Sequence, residues 1–167
     1  MYVSEERIEK IDVSSYDHLF HEPVSLPTAL YYIGPNFDDL LTFDRVAVVG
    51  SRDVTEEGKS AAFELGANLA KKASVVISGL ALGIDTAAFE GAISEGGRCV
   101  AILPSGLKQI VPRSNNGLAE QIVFKIANSR SCTKGAAHHI NILGSAIMVN
   151  VQDVGQPTSG HGPKQLS

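Results

Sequence analysis

The chain has 167 residues, 44% of them hydrophobic, which is enough for one ordinary domain with a real core and too short for a second full one. No apolar run approaches the roughly 20 residues of a membrane helix, and Met1 leads into Ser4-Glu5-Glu6-Arg7 rather than a basic and apolar signal, so a soluble cytoplasmic protein is expected. The formal net charge of −4 argues against coating nucleic acid by bulk electrostatics, which needs clustered Lys and Arg, but leaves room for a local basic pocket.

Residues 1–15 are polar and charged, with a weak helical pattern at Val3, Ile8 and Ile11. Residues 16–44 carry Pro23, Pro27 and Pro35 among apolar residues, which predicts an extended, turn-rich lead-in packed on the core, with a short helix at 38–42. From 45 onward, apolar runs alternate with helical patterns, the signature of parallel strands joined by crossover helices. The Val-rich run 45–49 reads as a buried strand. Thr55 caps a helix over 55–72, with Glu56 and Glu57 in its first turn, Lys71 and Lys72 at its end, and an apolar face at Ala62, Leu65 and Leu69. A strand at 74–78, a helix over 84–95 closing at Gly96-Gly97, and a strand at 98–103 ending in Pro104-Ser105-Gly106 follow. A helix from 115 or 116 to 122, strands at 123–127 and 146–151, and a flexible tail over 153–167 complete the chain. The fold class is α/β: an open, mostly parallel sheet with helices on both faces, preceded by a 1–44 lead-in and confined to 45–152.

Two strand-to-loop junctions carry the chemistry, Val49-Gly50-Ser51-Arg52 and Ser78-Gly79-Leu80-Ala81-Leu82-Gly83-Ile84-Asp85. Each puts backbone N–H groups and a helix start at the carboxyl edge of a parallel sheet, where phosphate oxygens are commonly held. Gly50 permits a tight turn, Ser51 offers a hydroxyl, and Arg52 supplies a planar bidentate donor for phosphate. Gly79 and Gly83 suit close approach of a ligand or a neighbouring strand, and Asp85 suits helix capping or a ribose hydroxyl. The third loop adds Ser105 and Gly106. Lys108, Arg113, Lys125, Arg130 and Lys134 are further cations for a local pocket. Neither junction is a GxGxxG or a P-loop, and there is no GxSxG elbow. His138 and His139 are adjacent and lack metal-ligand spacing, and Cys99 and Cys132 form no CxxC.

At Leu30-Tyr31-Tyr32-Ile33-Gly34, Val46-Ala47-Val48-Val49-Gly50-Ser51-Arg52, the segment Ser78-Gly79-Leu80-Ala81-Leu82-Gly83-Ile84-Asp85-Thr86-Ala87-Ala88 with Gly91-Ala92, Ser105-Gly106-Leu107 and Val111-Pro112, the chain resembles the DNA-processing protein A (DprA/Smf) family. The resemblance implies a Rossmann-like domain that binds single-stranded DNA at the strand ends, commonly as a homodimer, helps load a RecA-type recombinase in recombination or natural transformation, and acts without catalysis, metal or cofactor. Carried onto this chain, it assigns phosphate contacts to Gly50, Ser51, Arg52, Ser78, Gly79, Gly83, Ser105 and Gly106, with Lys108, Arg113 and His138 adding charge. Phe89 and Phe124 are the aromatics expected near the groove. The chain departs from the family pattern at Leu82, usually Arg, at Phe89, usually His, and at Ala137-His138-His139, usually Arg-Asn-Arg. Those lost cations leave open a second reading, a binder of a free nucleotide or nucleotide-derived signal. A phosphoribohydrolase-type enzyme lacks its PGGxGT loop here, and a partner-binding scaffold is the remaining alternative.

Overall fold

The computed structural model describes residues 8–19, 29–34, 37–104, 106–124 and 146–152. Strands β1 (Glu9–Asp12), β2 (Ala29–Ile33), β3 (Arg45–Ala47), β4 (Val75–Ser78), β5 (Arg98–Leu103) and β6 (Ala146–Gln152) form one six-stranded sheet in the order β1-β2-β6-β5-β4-β3. The pairs β3–β4, β4–β5 and β5–β6 are parallel, while β1–β2 and β2–β6 are antiparallel. The parallel strands follow one another across the sheet, so crossovers of one hand place α2 (Glu56–Lys71), α3 (Ile84–Ser94) and α4 (Asn116–Phe124) on one face. Val76, Cys99, Ala101 and Leu103 point to that face and bury Phe89, Ala88 and Ile122. The other face is covered by a 3-10 helix (Val13–Leu19) and α1 (Phe37–Leu41), through Ile11, Tyr32, Leu40, Val75 and Val100.

Helix α2 starts as its sequence dictates: the Thr55 hydroxyl accepts from the Gly58 N–H at 3.2 Å. Its buried face differs from the expected one, because Leu65 is 46% exposed while Ala62, Gly66 and Ala67 are buried. The reason is the closeness of α3. A Cβ at Gly66 would lie 2.0 Å from the Ala88 carbonyl oxygen, and one at Gly91 would lie 2.0 Å from that of Phe63. The two helices therefore meet backbone to backbone, and a larger side chain has no place in the seam. Helix α3 closes at Gly96, whose φ of +69° suits glycine.

Four expectations need correction. The run 45–49 is not a buried strand: β3 spans only Arg45–Ala47 at the edge of the sheet, where Arg45 and Ala47 are exposed, and Val49 beyond it is 73% exposed. The residues Ile8 and Ile11 do not lie on a helix: Glu9–Asp12 is a strand paired with β2, and Ile11 is buried by the pairing. Val123 and Phe124 belong to α4 rather than to a strand, and the remainder of that expected strand lies outside the described residues. Phe89 faces the core with no exposed surface, which places it away from any groove and contributes roughly 2–3 kcal/mol by burial. At the opposite end of β5 from the crevice, the buried Arg98 guanidinium stacks 3.7 Å from the Phe43 ring centroid, and burial lowers its pKa.

Candidate functional site

The carboxyl ends of β3, β4 and β5 bring three loops side by side, in the sheet order that places the β4 loop between the other two. The first loop leaves β3 through Val48, which is buried and whose N–H donates to the Ile77 carbonyl at 2.9 Å. A Cβ on Gly50 would sit 2.6 Å from Ile84 Cγ1, so the absent side chain makes room for the head of α3. The Ser51 hydroxyl is used locally: it donates to the Asp53 carbonyl at 2.5 Å and accepts from the Asp53 N–H at 3.2 Å, a hydroxyl-stabilised turn. Arg52, displayed by that turn, is exposed and makes no hydrogen bond or ion pair among the described residues.

The second loop is built differently. Gly79 and Ala81 donate their N–H groups to one carboxylate oxygen of Asp85, at 3.0 and 3.3 Å, and Asp85 is 5% exposed. Asp85 therefore neither caps its helix nor awaits a ribose. It fills, from within the chain, the position that an anion would take on those two donors. The helix cap is Gly83, which has no side chain to offer. On the carbonyl side, the Thr86 hydroxyl donates to the Ala81 carbonyl at 2.6 Å, and the buried Asn115 amide donates to the Leu80 carbonyl and to the Thr86 hydroxyl, both at 2.9 Å. Leu80 has φ +59° and no exposed surface, a conformation that costs a branched residue energy and is held here by core packing and these bonds.

The loops are also locked to each other. Gly83 has φ +81°, and a Cβ there would meet the Ser51 carbonyl oxygen at 2.2 Å and the Arg52 Cα at 2.9 Å. The Ile84 N–H donates to that same Ser51 carbonyl at 3.1 Å. Ser78, expected at the site, is 3% exposed and donates its hydroxyl to the Val48 carbonyl at 2.6 Å, tying β4 to the end of β3. In the third loop, Leu107 and Ile110 are buried anchors, and Gly106, Lys108 and Arg113 are exposed. Ser105, Lys125, Arg130, Cys132, Lys134, His138 and His139 lie outside the described residues. Thr86 and Asn115 are further builders of the second loop; Thr86 stands in the segment 78–88, but its role, and that of Asn115 35 residues along the chain from Leu80, has no local signal and needs the fold.

Among the described residues, no cluster of His, Cys, Asp or Glu could hold a metal ion, and no helix is long and apolar enough to cross a membrane. Cys99 is buried in the core of the sheet, which pushes its thiol pKa up to about 12 and leaves it unreactive.

The family model for DNA recombination-mediator protein A matches residues 8–138 of this chain. The chain belongs to that family. Relatives include the DNA processing protein DprA of Streptococcus pneumoniae, 41% identical over 96 residues that make up 58% of this chain and 33% of that protein. The DprA of Bacillus subtilis is 29% identical over 119 residues, 71% of this chain and 40% of that protein. The crystal structure of the Streptococcus pneumoniae DprA superimposes with a TM-score of 0.57 at 30% identity, covering 80% of this chain and 39% of that one. The Helicobacter pylori DNA processing protein A, whose structure concerns its single-stranded DNA binding mode, has the same fold, with a TM-score of 0.60 at 23% identity, 88% of this chain and 56% of that one. This chain thus spans well under two thirds of the length of each of these family members.

Proposed function

We propose that this DNA recombination-mediator A family member binds single-stranded DNA at the carboxyl edge of its parallel strands and assists DNA processing, recombination or uptake without catalysing a reaction. The observation that carries the reading is Arg52: a guanidinium displayed on a structured turn, with no partner among the described residues, at the edge where α/β sheets hold phosphorylated ligands. Lys108 and Arg113, both exposed on the third loop across the β4 loop from it, would supplement its charge. The second loop contributes shape rather than donors, because its Gly79 and Ala81 N–H groups are engaged by Asp85. Few phosphate contacts imply modest affinity and a shallow salt dependence. Work in the cytoplasm, assembly as a homodimer and delivery of the strand to a RecA-type recombinase are the family relations proposed with this function.

Titration of the purified protein into a fluorescent oligo-dT strand at low and moderate salt tests it, with duplex DNA, mononucleotides and Arg52→Ala alongside. Salt-sensitive binding that prefers the single strand and weakens in Arg52→Ala supports the reading. No binding to the strand, with thermal stabilisation by a mononucleotide, reassigns the crevice to a free nucleotide, the alternative that the net charge of −4 favours.

A further inference from the structure

Beside Arg52, the crevice displays an apolar side chain. Leu82 is 45% exposed at the tip of the second loop, next to Gly83, whose backbone is packed against the Ser51 carbonyl and the Arg52 Cα. Single exposed leucines are ordinary on protein surfaces, but this one is held in place. Leu80, two residues earlier, is fully buried, and the intervening Ala81 is fastened through its N–H to Asp85 and through its carbonyl to Thr86. Asn115 fixes Leu80 from the third loop. Leu80 therefore anchors the loop in the core while Leu82 is presented outward on a support that cannot easily fold it away.

A cation and an apolar side chain on two interlocked backbones match the two chemistries of one nucleotide, an anionic phosphate and an apolar base face. We infer that Leu82 packs against a nucleobase, or its sugar, while Arg52 takes the adjoining phosphate, so that this pair reads single strands by an exposed base face. The inference rests on the proposed function and adds the source of its strand selectivity: in a duplex the base faces are stacked, and only a splayed strand can offer one to Leu82. Asp85 is then a positioning residue, acting through the loop it closes.

The test compares binding of oligo-dT with an abasic strand of the same length and charge. The unaltered protein is expected to prefer oligo-dT by about three- to tenfold, less than an aromatic platform would give. Leu82→Ser is expected to bring the two strands close to equal affinity with the salt slope unchanged, and Leu82→Phe to widen the preference. Arg52→Ala should weaken both strands, flatten the salt slope and keep the preference. Binding of both strands with no preference in the unaltered protein, or a preference that survives Leu82→Ser, overturns this inference and leaves strand binding standing. Failure of the unaltered protein to bind either strand overturns both the inference and the function on which it rests.

Discussion

The first and second loops each carry glycine between a parallel β-strand and a helix, and the structure uses them in opposite ways. The first, residues 49–54, closes its turn with one hydroxyl and leaves Arg52 exposed and unengaged among the described residues. The second, residues 79–83, has its donors and acceptors answered from inside the chain by Asp85, Thr86 and Asn115. A Gly-rich junction is thus a promise of backbone donors, and whether they are open to a ligand depends on what the following helix and a distant loop place on them. Here one loop supplies charge and the other supplies a rigid support.

The comparison breaks most directly at the contact between the loops. Gly83→Ala puts a Cβ against the Ser51 carbonyl at a positive φ, and is expected to cost about 3 kcal/mol or more in denaturant unfolding; a loss below about 1 kcal/mol would mean that the loops separate easily. Asp85→Ala leaves the half-buried Gly79 and Ala81 donors unanswered and should cost about 1–2 kcal/mol, with a smaller loss for Asp85→Asn. If hydrogen exchange at Gly79 and Ala81 did not quicken in that variant, the closed character of the second loop would have another cause. Asn115→Ala removes the brace from the third loop and is expected to cost about 1–2 kcal/mol.

The sheet beneath the loops sets an alkaline limit. The Cys99 thiol and the Tyr32 phenol are pushed up to about 12 from 9.0 and 10.0, Cys99 by burial, and Tyr32 chiefly by burial and then by its hydrogen bond to Glu9. Groups whose pKa is raised on folding contribute stability that is complete below the unfolded pKa and is lost as pH climbs toward the folded value. The denaturant midpoint should therefore hold to about pH 9 and fall toward pH 12, and Cys99→Ala should delay the onset toward pH 10. The smallest effect belongs to Arg52→Ala, which should leave the unfolding midpoint unchanged while strand affinity falls; a lower midpoint would assign Arg52 a structural role.

Much of the parallel part was legible because its signals are local. The Thr55 cap, the β5 span and the glycines that end α3 follow from propensity and capping chemistry within a few residues. The lead-in was harder: Glu9–Asp12 is short and mostly polar and is a strand because it pairs with Ala29–Ile33, whereas Ala29–Ile33 is apolar with strand-forming Tyr and Ile residues, and only its pairing with β1 and β6 shows that it belongs to the sheet. At the proposed site, the exposure of Arg52 follows from its place on a turn after a strand, whereas the internal hydrogen bonds of Ser78, Gly79 and Asp85 have no local signal.

The order of strand and helix across the parallel part and the family pattern in the glycines are local features that the sequence carries without the fold. Only the tertiary structure decided that Leu65 would be outside and Phe89 inside, because a glycine seam between α2 and α3 sets which helix face is covered. It also decided which loop is open. A hydrogen bond from residue 115 to residue 80 depends on where the sheet carries both, and no spacing along the chain encodes that distance.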